Sequence, residues 1–153
     1  MYSFVILGYP PKSFNTWKDS HKSVKERYKK ILCDALKNDN PDFKKYDGND
    51  EVYGIIYYFY KENLGHDVDN ISKPIWDCLG GYLYEDDRQL KFTLNGIYDV
   101  SDDKAWRFET ADSNWEIVLD LIDRLENTNH LLYVECGRMD ISFFKFNIEK
   151  LEE

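Results

Sequence analysis

The stretch from Val52 to Tyr60 constrains the fold of this chain most strongly. Apart from Gly54, it is β-branched, aliphatic or aromatic throughout, and it shows no polar alternation. A strand of this composition is typical of a sheet whose two faces are both covered. We therefore expect this strand to lie inside a sheet that helices cover.

Strand and helix patterns alternate along the rest of the chain. The predicted elements are a strand at 2–7, a helix from 15 or 16 to about 37, the strand at 52–60, a short helix at 71–79 with Pro74 in its first turn, a half-buried strand from 89, a helix near 115–125, and two strands at 131–136 and 139–148 joined by a turn at 137–138. This order predicts an α/β (α+β) fold, in which helices pack on a mixed β-sheet. A length of 153 residues fits one domain over residues 1–153.

Charge is distributed unevenly along the chain. The net charge is −9, yet residues 1–37 hold eight bases and three acids, so this segment carries +5 and the other 116 residues carry −14. An acidic balance ordinarily argues against binding of nucleic acid, whereas the basic N-terminal quarter favours it. An acidic protein that imitates DNA is a weaker alternative, because this basic quarter opposes it.

The sequence predicts a cytoplasmic protein with no membrane partner. Its longest apolar run is far shorter than the roughly 20 residues that a membrane helix needs, and its N-terminus shows no export signal. Three widely spaced cysteines, Cys33, Cys78 and Cys136, fit neither a disulfide framework nor a metal site. We expect them to be reduced, half-buried thiols.

Two acidic clusters carry the strongest signal for chemistry. Asp67 and Asp69 lie two residues apart ahead of the short helix, and an extended backbone would turn both carboxylates to one side. Lys73 follows Asp69 by about one helical turn. Asp86 and Asp87 directly precede the strand from residue 89. If this strand pairs beside 52–60, the second cluster approaches the first.

Three carboxylates that converge on one point repel each other unless a cation lies between them. Carboxylate oxygens suit Mg²⁺, which typically binds one or two of them together with waters and substrate phosphates. Such a site predicts metal-assisted phosphodiester hydrolysis, with a lysine neutralising charge on the phosphate. The alternative is that these residues are an ordinary helix cap and a solvated acidic turn.

The assembled motif resembles the core of the RusA family of Holliday junction resolvases. Residues 67–81 (DVDNISKPIWDCLGG) and 85–90 (EDDRQL) match the family patterns D-x-D-N-x-x-K-x-x-x-D-x-L and D-D-x-Q. The N-terminus is similar too, with an apolar strand that ends in Tyr9-Pro10-Pro11 and is followed by a basic helix. The resemblance covers about residues 2–95, whereas 99–153 form a divergent C-terminal extension with a predicted helix and strand pair.

The resemblance implies a homodimeric, Mg²⁺-dependent endodeoxyribonuclease, with Mn²⁺ as a substitute, that resolves four-way junctions or other branched DNA in recombination and repair. By position, it implies that Asp67, Asp69 and Asp87 hold the metal and that Lys73 assists at the scissile phosphate. It implies for Asp86 a supporting role beside these ligands. The C-terminal extension offers a surface for a dimer contact or a protein partner.

The basic N-terminal segment supplies the residues that we expect to contact DNA phosphates. They are Lys12, Lys18, Lys22, Lys25 and Lys29. The alternative is a solvated helix face that balances an acidic protein. Two departures from the family are the overall charge and the lone His66 ahead of Asp67, where members often have basic residues. They leave open a non-catalytic module that binds nucleic acid or protein on the same fold.

Overall fold

The computed structural model describes residues 1–101 and 115–140, which form a four-stranded mixed sheet with helices on both faces. The elements in chain order are β1 (Tyr2–Leu7), α1 (Phe14–Trp17), α2 (Lys22–Asp39), β2 (Val52–Tyr60), α3 (Val68–Leu79), β3 (Leu90–Asp99), α4 (Trp115–Glu126) and β4 (His130–Arg138). The predicted α/β (α+β) fold, a mixed sheet with helices packed on it, is confirmed.

The strand order of the sheet is β1-β4-β2-β3. The central strand β4 is antiparallel to both neighbours, whereas β2 and β3 are parallel and are joined by the crossover helix α3. In this register Leu90 lies beside Val52 and Asp99 beside Tyr60. Strands β2 and β3 therefore start at the same end of the sheet. Helix α3 runs back along the sheet from the end of β2 to the start of β3.

The predicted inner strand has the bounds of β2, Val52–Tyr60. Its side chains alternate between buried positions, such as Ile56, and half-buried ones, such as Ile55. The buried face packs in the larger core below α2 and α3, and Phe59 on the other face packs in a smaller core with α4. Burial on both faces is therefore complete only near the end of the strand.

The helices differ from the prediction at their boundaries. The single helix expected from residue 15 or 16 is interrupted, because α1 ends at Trp17 and α2 begins at Lys22 after His21. The Ser20 hydroxyl donates to the Thr16 carbonyl (2.6 Å), which the Ser20 amide would use in a continuous helix. No helix in the described ranges is long and apolar enough to cross a membrane.

Helix α3 starts three residues earlier than predicted, at Val68, so Pro74 lies inside it rather than in its first turn. It ends at Leu79 as predicted, with Gly80 as its C-terminal cap, and Gly81 adopts a positive φ of 77°. The Trp76 ring lies against β2 at Gly54, where a Cβ atom would come within 2.2 Å of it. This close approach holds α3 against the sheet and explains a glycine in an inner strand.

The C-terminal part of the chain is described only in α4 and β4. The predicted turn at Gly137 and Arg138 is wrong: both residues continue β4, and Gly137 leaves room for the ring of its cross-strand neighbour Tyr53. Helix α4 confirms the predicted helix near 115–125. Residues 102–114 and 141–153, with most of the strand predicted at 139–148, lie outside the described residues.

The three thiols are free, and their burial predicts their reactivity. Cys78 and Cys136 are buried rather than half-buried, and burial raises the pKa of each thiol to about 12. Cys33 is half-buried, and burial raises its pKa as well.

The burial of the three thiols predicts the order in which they react, because only the thiolate reacts with a disulfide reagent. At mildly alkaline pH we expect such a reagent to modify Cys33 slowly. We expect it to modify Cys78 and Cys136 at least about 10³-fold more slowly than a free thiol. Mass spectrometry of the folded chain checks this order, and rapid modification of Cys78 would contradict it.

Candidate functional site

The first acidic cluster lies at the N-terminus of α3. Asp67 precedes the helix in extended conformation, and Asp69 lies in the first helical turn. The two carboxylates were expected to share one side of an extended segment, but the helix begins between them, and residues two apart on a helix do not face each other. Both side chains are exposed. Asp67 occupies the N-cap position of the helix-cap alternative, but its carboxylate caps no backbone N–H and instead accepts from the Asn70 side chain (3.3 Å).

The second acidic cluster lies in a 3₁₀ turn at Asp87–Gln89, and its two aspartates differ. Asp86 caps this turn and also accepts two hydrogen bonds from the Arg88 guanidinium (2.9 and 2.8 Å). These bonds hold the pKa of Asp86 far below its usual range. Asp87 is exposed. Of the pair, Asp87 therefore has the less engaged carboxylate, which agrees with the residue that the motif selects.

An open cleft of about 430 Å³ brings Lys73 and Asp87 to one place. It is lined by Lys73, Trp76, Asp77, Gly80, Tyr84, Asp87 and Leu90. The Lys73 ammonium donates to the Asp77 carboxylate at 2.8 Å, an ion pair that the four-residue spacing allows on a helix, and the Lys73 side chain is 56% exposed. The cleft thus contains a cation and two carboxylates, and the aromatic residues Trp76 and Tyr84 also line it.

The three predicted metal ligands are distributed along α3 rather than gathered at one end. Asp67 and Asp69 lie at its start, and Asp87 lies beside its second half, because the parallel β3 begins at the far end of the sheet. A helix of twelve residues is about 18 Å long. Within residues 1–101 and 115–140, no three His, Cys, Asp or Glu side chains form a group that could hold a metal ion. The oxygen donors fit a hard cation in chemistry, but this part of the chain does not gather three of them.

Lys12 lies near the first acidic cluster in space. Burial lowers the pKa of His66, the neighbouring His130 and Lys12 lower it further, and Asp67 opposes them. The backbone N–H of Lys12 donates to the Tyr28 hydroxyl (3.4 Å), which ties this loop to α2. The loop after β1 therefore places a cation near His66, the residue that directly precedes Asp67.

The other predicted phosphate contacts differ in their surroundings. Lys22 pairs with Glu26 at 3.7 Å, and the half-buried Lys25 donates to the Lys18 carbonyl (3.2 Å). Lys12, Lys18 and Lys29 form no ion pair with a residue in the described ranges. Helix α1 approaches the cleft, since the Lys73 ammonium lies 6.0 Å from the Phe14 ring centroid. The basic segment and the cleft therefore occupy neighbouring parts of the surface.

Two residues to which the sequence patterns assigned no role contribute to this region. Trp76 is buried but also lines the cleft, and its indole N–H has no hydrogen-bond acceptor among the described residues. Gln89 is buried behind the acidic turn and was given no role. Its place in the D-D-x-Q pattern is the signal that could have identified it.

No family model matches the chain, and no curated protein matches it significantly. The likeness to the RusA family stays a prediction that rests on residues 67–81 and 85–90.

Proposed function

We propose that this protein is a Mg²⁺-dependent endodeoxyribonuclease of the RusA type that cleaves four-way junctions or other branched DNA in the cytoplasm. The observation that carries the proposal is the open cleft in which Lys73 and Asp87, fourteen residues apart in sequence, lie together. These are two of the four residues to which the RusA-like motif assigns the chemistry. Asp69 precedes Lys73 by about one helical turn.

Lys73 is suited to assist at a phosphate. Hydrolysis of a phosphodiester builds up negative charge on the phosphate oxygens, and a nearby cation stabilises it. The ion pair between Lys73 and Asp77 is exposed, and such helical pairs contribute only about 0.3–0.5 kcal/mol. A phosphate that enters the cleft can therefore draw the ammonium away from Asp77 at little cost.

Asp67, Asp69 and Asp87 are the residues that would hold the divalent ion. Mg²⁺ takes one or two protein carboxylates and completes its coordination with waters and substrate phosphates, so DNA would supply ligands that the described residues do not gather alone. When bound, the ion supplies an activated water and neutralises charge at the leaving oxygen. A homodimer would match the two-fold symmetry of a four-way junction.

Lys12 is expected to contribute to DNA affinity through the phosphate backbone. We expect Lys12→Ala to weaken junction binding and to reduce the slope of log K against log salt by about 0.9, the value for one lost phosphate contact. Lys30→Ala is the matched control, because Lys30 lies further along α2 and already pairs with Asp34. Binding titrations over a range of salt concentrations measure both slopes, and equal slopes for the two variants would contradict the role of Lys12.

Incubation of the purified protein with end-labelled DNA tests the proposed function. We expect Mg²⁺ or Mn²⁺ to support cleavage of a four-way junction near its branch point, and a linear duplex of the same arm sequence to stay intact. EDTA should abolish cleavage. Intact junctions under all of these conditions would overturn the proposal.

A non-catalytic module is the second candidate function. It is favoured by the absence, within residues 1–101 and 115–140, of a three-ligand metal group, and by the net charge of −9. Such a module would bind nucleic acid or a protein partner, the latter through residues 99–153. It predicts junction binding that survives Asp69→Asn together with no nicked product from the wild-type chain.

A further inference from the structure

Gln89 is a buried polar side chain whose hydrogen bonds join two segments distant in sequence. It is only 5% exposed. Its amide oxygen accepts from the N–H groups of Glu85 (2.8 Å) and Asp86 (3.0 Å), and its amide nitrogen donates to the carbonyls of Asp47 (2.6 Å) and Asp50 (3.0 Å). A side-chain amide has two acceptor sites and two donor hydrogens, so all four are used.

The segment Asp47–Asp50 is itself anchored on its other side. The Arg138 guanidinium donates twice to the Asp50 carboxylate (3.0 Å each), and the Asp47 N–H donates to the same carboxylate (3.1 Å). Gly48 of this segment lies close to the acidic turn, since a Cβ there would come within 2.7 Å of Glu85 Oε2. Gln89 therefore connects the acidic turn to the end of β4 through an anchored segment.

We propose that Gln89 is a positioning residue that holds the acidic turn so that Asp87 faces the cleft beside Lys73. Asp87 is exposed, so burial of its side chain cannot fix its position. The hydrogen bonds of Gln89 restrain the two residues that directly precede Asp87. This inference rests on the proposed nuclease function, and it gives the glutamine of the D-D-x-Q pattern a physical role.

Two variants of Gln89 separate the two pairs of hydrogen bonds. Gln89→Glu keeps an acceptor for the N–H groups of Glu85 and Asp86 but loses both donors, whereas Gln89→Leu loses all four bonds and leaves buried backbone groups unpaired. Tyr46→Phe is the matched control, because it removes one buried hydrogen bond to the Cys136 carbonyl (3.1 Å) next to the same segment. Thermal unfolding curves identify an assay temperature at which all three variants are still folded.

Cleavage kinetics and amide exchange then test the role of Gln89. Loss of a group that orients a catalytic ligand typically costs about 10–100-fold, so we expect kcat to fall by about 10-fold in Gln89→Glu and about 100-fold in Gln89→Leu. KM for the junction should stay constant, because the proposed complex assigns the contacts with the DNA arms to the basic residues near α1 and α2 and none to Asp87. In NMR hydrogen exchange, the Glu85 and Asp86 amides should be protected in the wild type and in Gln89→Glu, and should lose protection in Gln89→Leu.

The outcomes distinguish this inference from the proposed function. If the wild type cleaves junctions and Gln89→Glu retains the kcat of Tyr46→Phe, Gln89 is merely structural and the positioning role is overturned. If Gln89→Leu fails to fold, the comparison of Gln89→Glu with Tyr46→Phe still decides. If the wild type cleaves no junction, the proposed function fails and the positioning role fails with it.

Discussion

Asp87→Asn is expected to slow cleavage of a four-way junction by about 10³-fold without weakening junction binding in EDTA. The substitution preserves the shape of the side chain and removes the charge that the proposed metal site requires. Because Asp87 is exposed, the free energy of unfolding should change by less than about 0.5 kcal/mol. We expect Asp69→Asn to have an effect of the same size. Single-turnover cleavage rates and gel-shift titrations give the two quantities.

Glu85→Gln is the matched control for Asp87→Asn. Glu85 is an exposed carboxylate in the same acidic segment, but it does not line the cleft. We expect its neutralisation to change the cleavage rate by less than about threefold, as for a surface charge outside the site. Equal rates for the Asp87 and Glu85 variants would show that general acidity matters and that Asp87 has no specific role.

Lys73→Ala is expected to reduce the cleavage rate by about 10²–10³-fold, the loss typical when one charge-stabilising group is removed from the transition state. KM should change little, because the basic residues near α1 and α2 supply most of the phosphate contacts in the proposed complex. The comparison of kcat with KM therefore measures whether Lys73 acts on the reacting phosphate.

Asp77→Asn tests whether cleavage requires the ion pair between Lys73 and Asp77. This substitution releases Lys73 from its 2.8 Å contact and should cost no more than about 0.5 kcal/mol in stability. We expect the cleavage rate of Asp77→Asn to stay within about threefold of the wild type, since the displaced pair is not part of the transition state. A loss as large as that of Lys73→Ala would show that the ion pair itself is required.

The elements of the fold with uniform composition could be predicted from the sequence. The apolar run of β2 gave its bounds, and Gly80 marked the end of α3. Boundaries that depend on local hydrogen bonds could not be predicted. One example is the break between α1 and α2, which a hydrogen bond of the Ser20 hydroxyl accompanies. Another is the start of α3 directly after Asp67.

The candidate site was predictable where it depends on short-range spacing. The Lys73–Asp77 pair follows from helical periodicity. The expected pairing of β3 beside β2 occurs, but it places Asp87 beside Lys73 in the cleft, which neither Asp67 nor Asp69 lines. The direction of β3 relative to β2 decides where the acidic turn lies along α3. Because β3 is parallel to β2, as the helix between them indicates, the acidic turn lies beside the second half of α3. Two of the four hydrogen bonds of Gln89 join it to a segment about 40 residues away, which spacing arguments do not reach.

The most direct test of whether Asp67, Asp69 and Asp87 hold a divalent ion is the binding of Mn²⁺ to the complex of the full chain with a four-way junction. Electron paramagnetic resonance measures this binding on samples frozen directly after mixing. After subtraction of the signal from the junction alone, we expect the wild-type complex to bind Mn²⁺ and the Asp69→Asn and Asp87→Asn complexes to lose that binding. A wild-type complex that binds no more Mn²⁺ than the junction alone, or binding that both substitutions leave unchanged, would contradict the account.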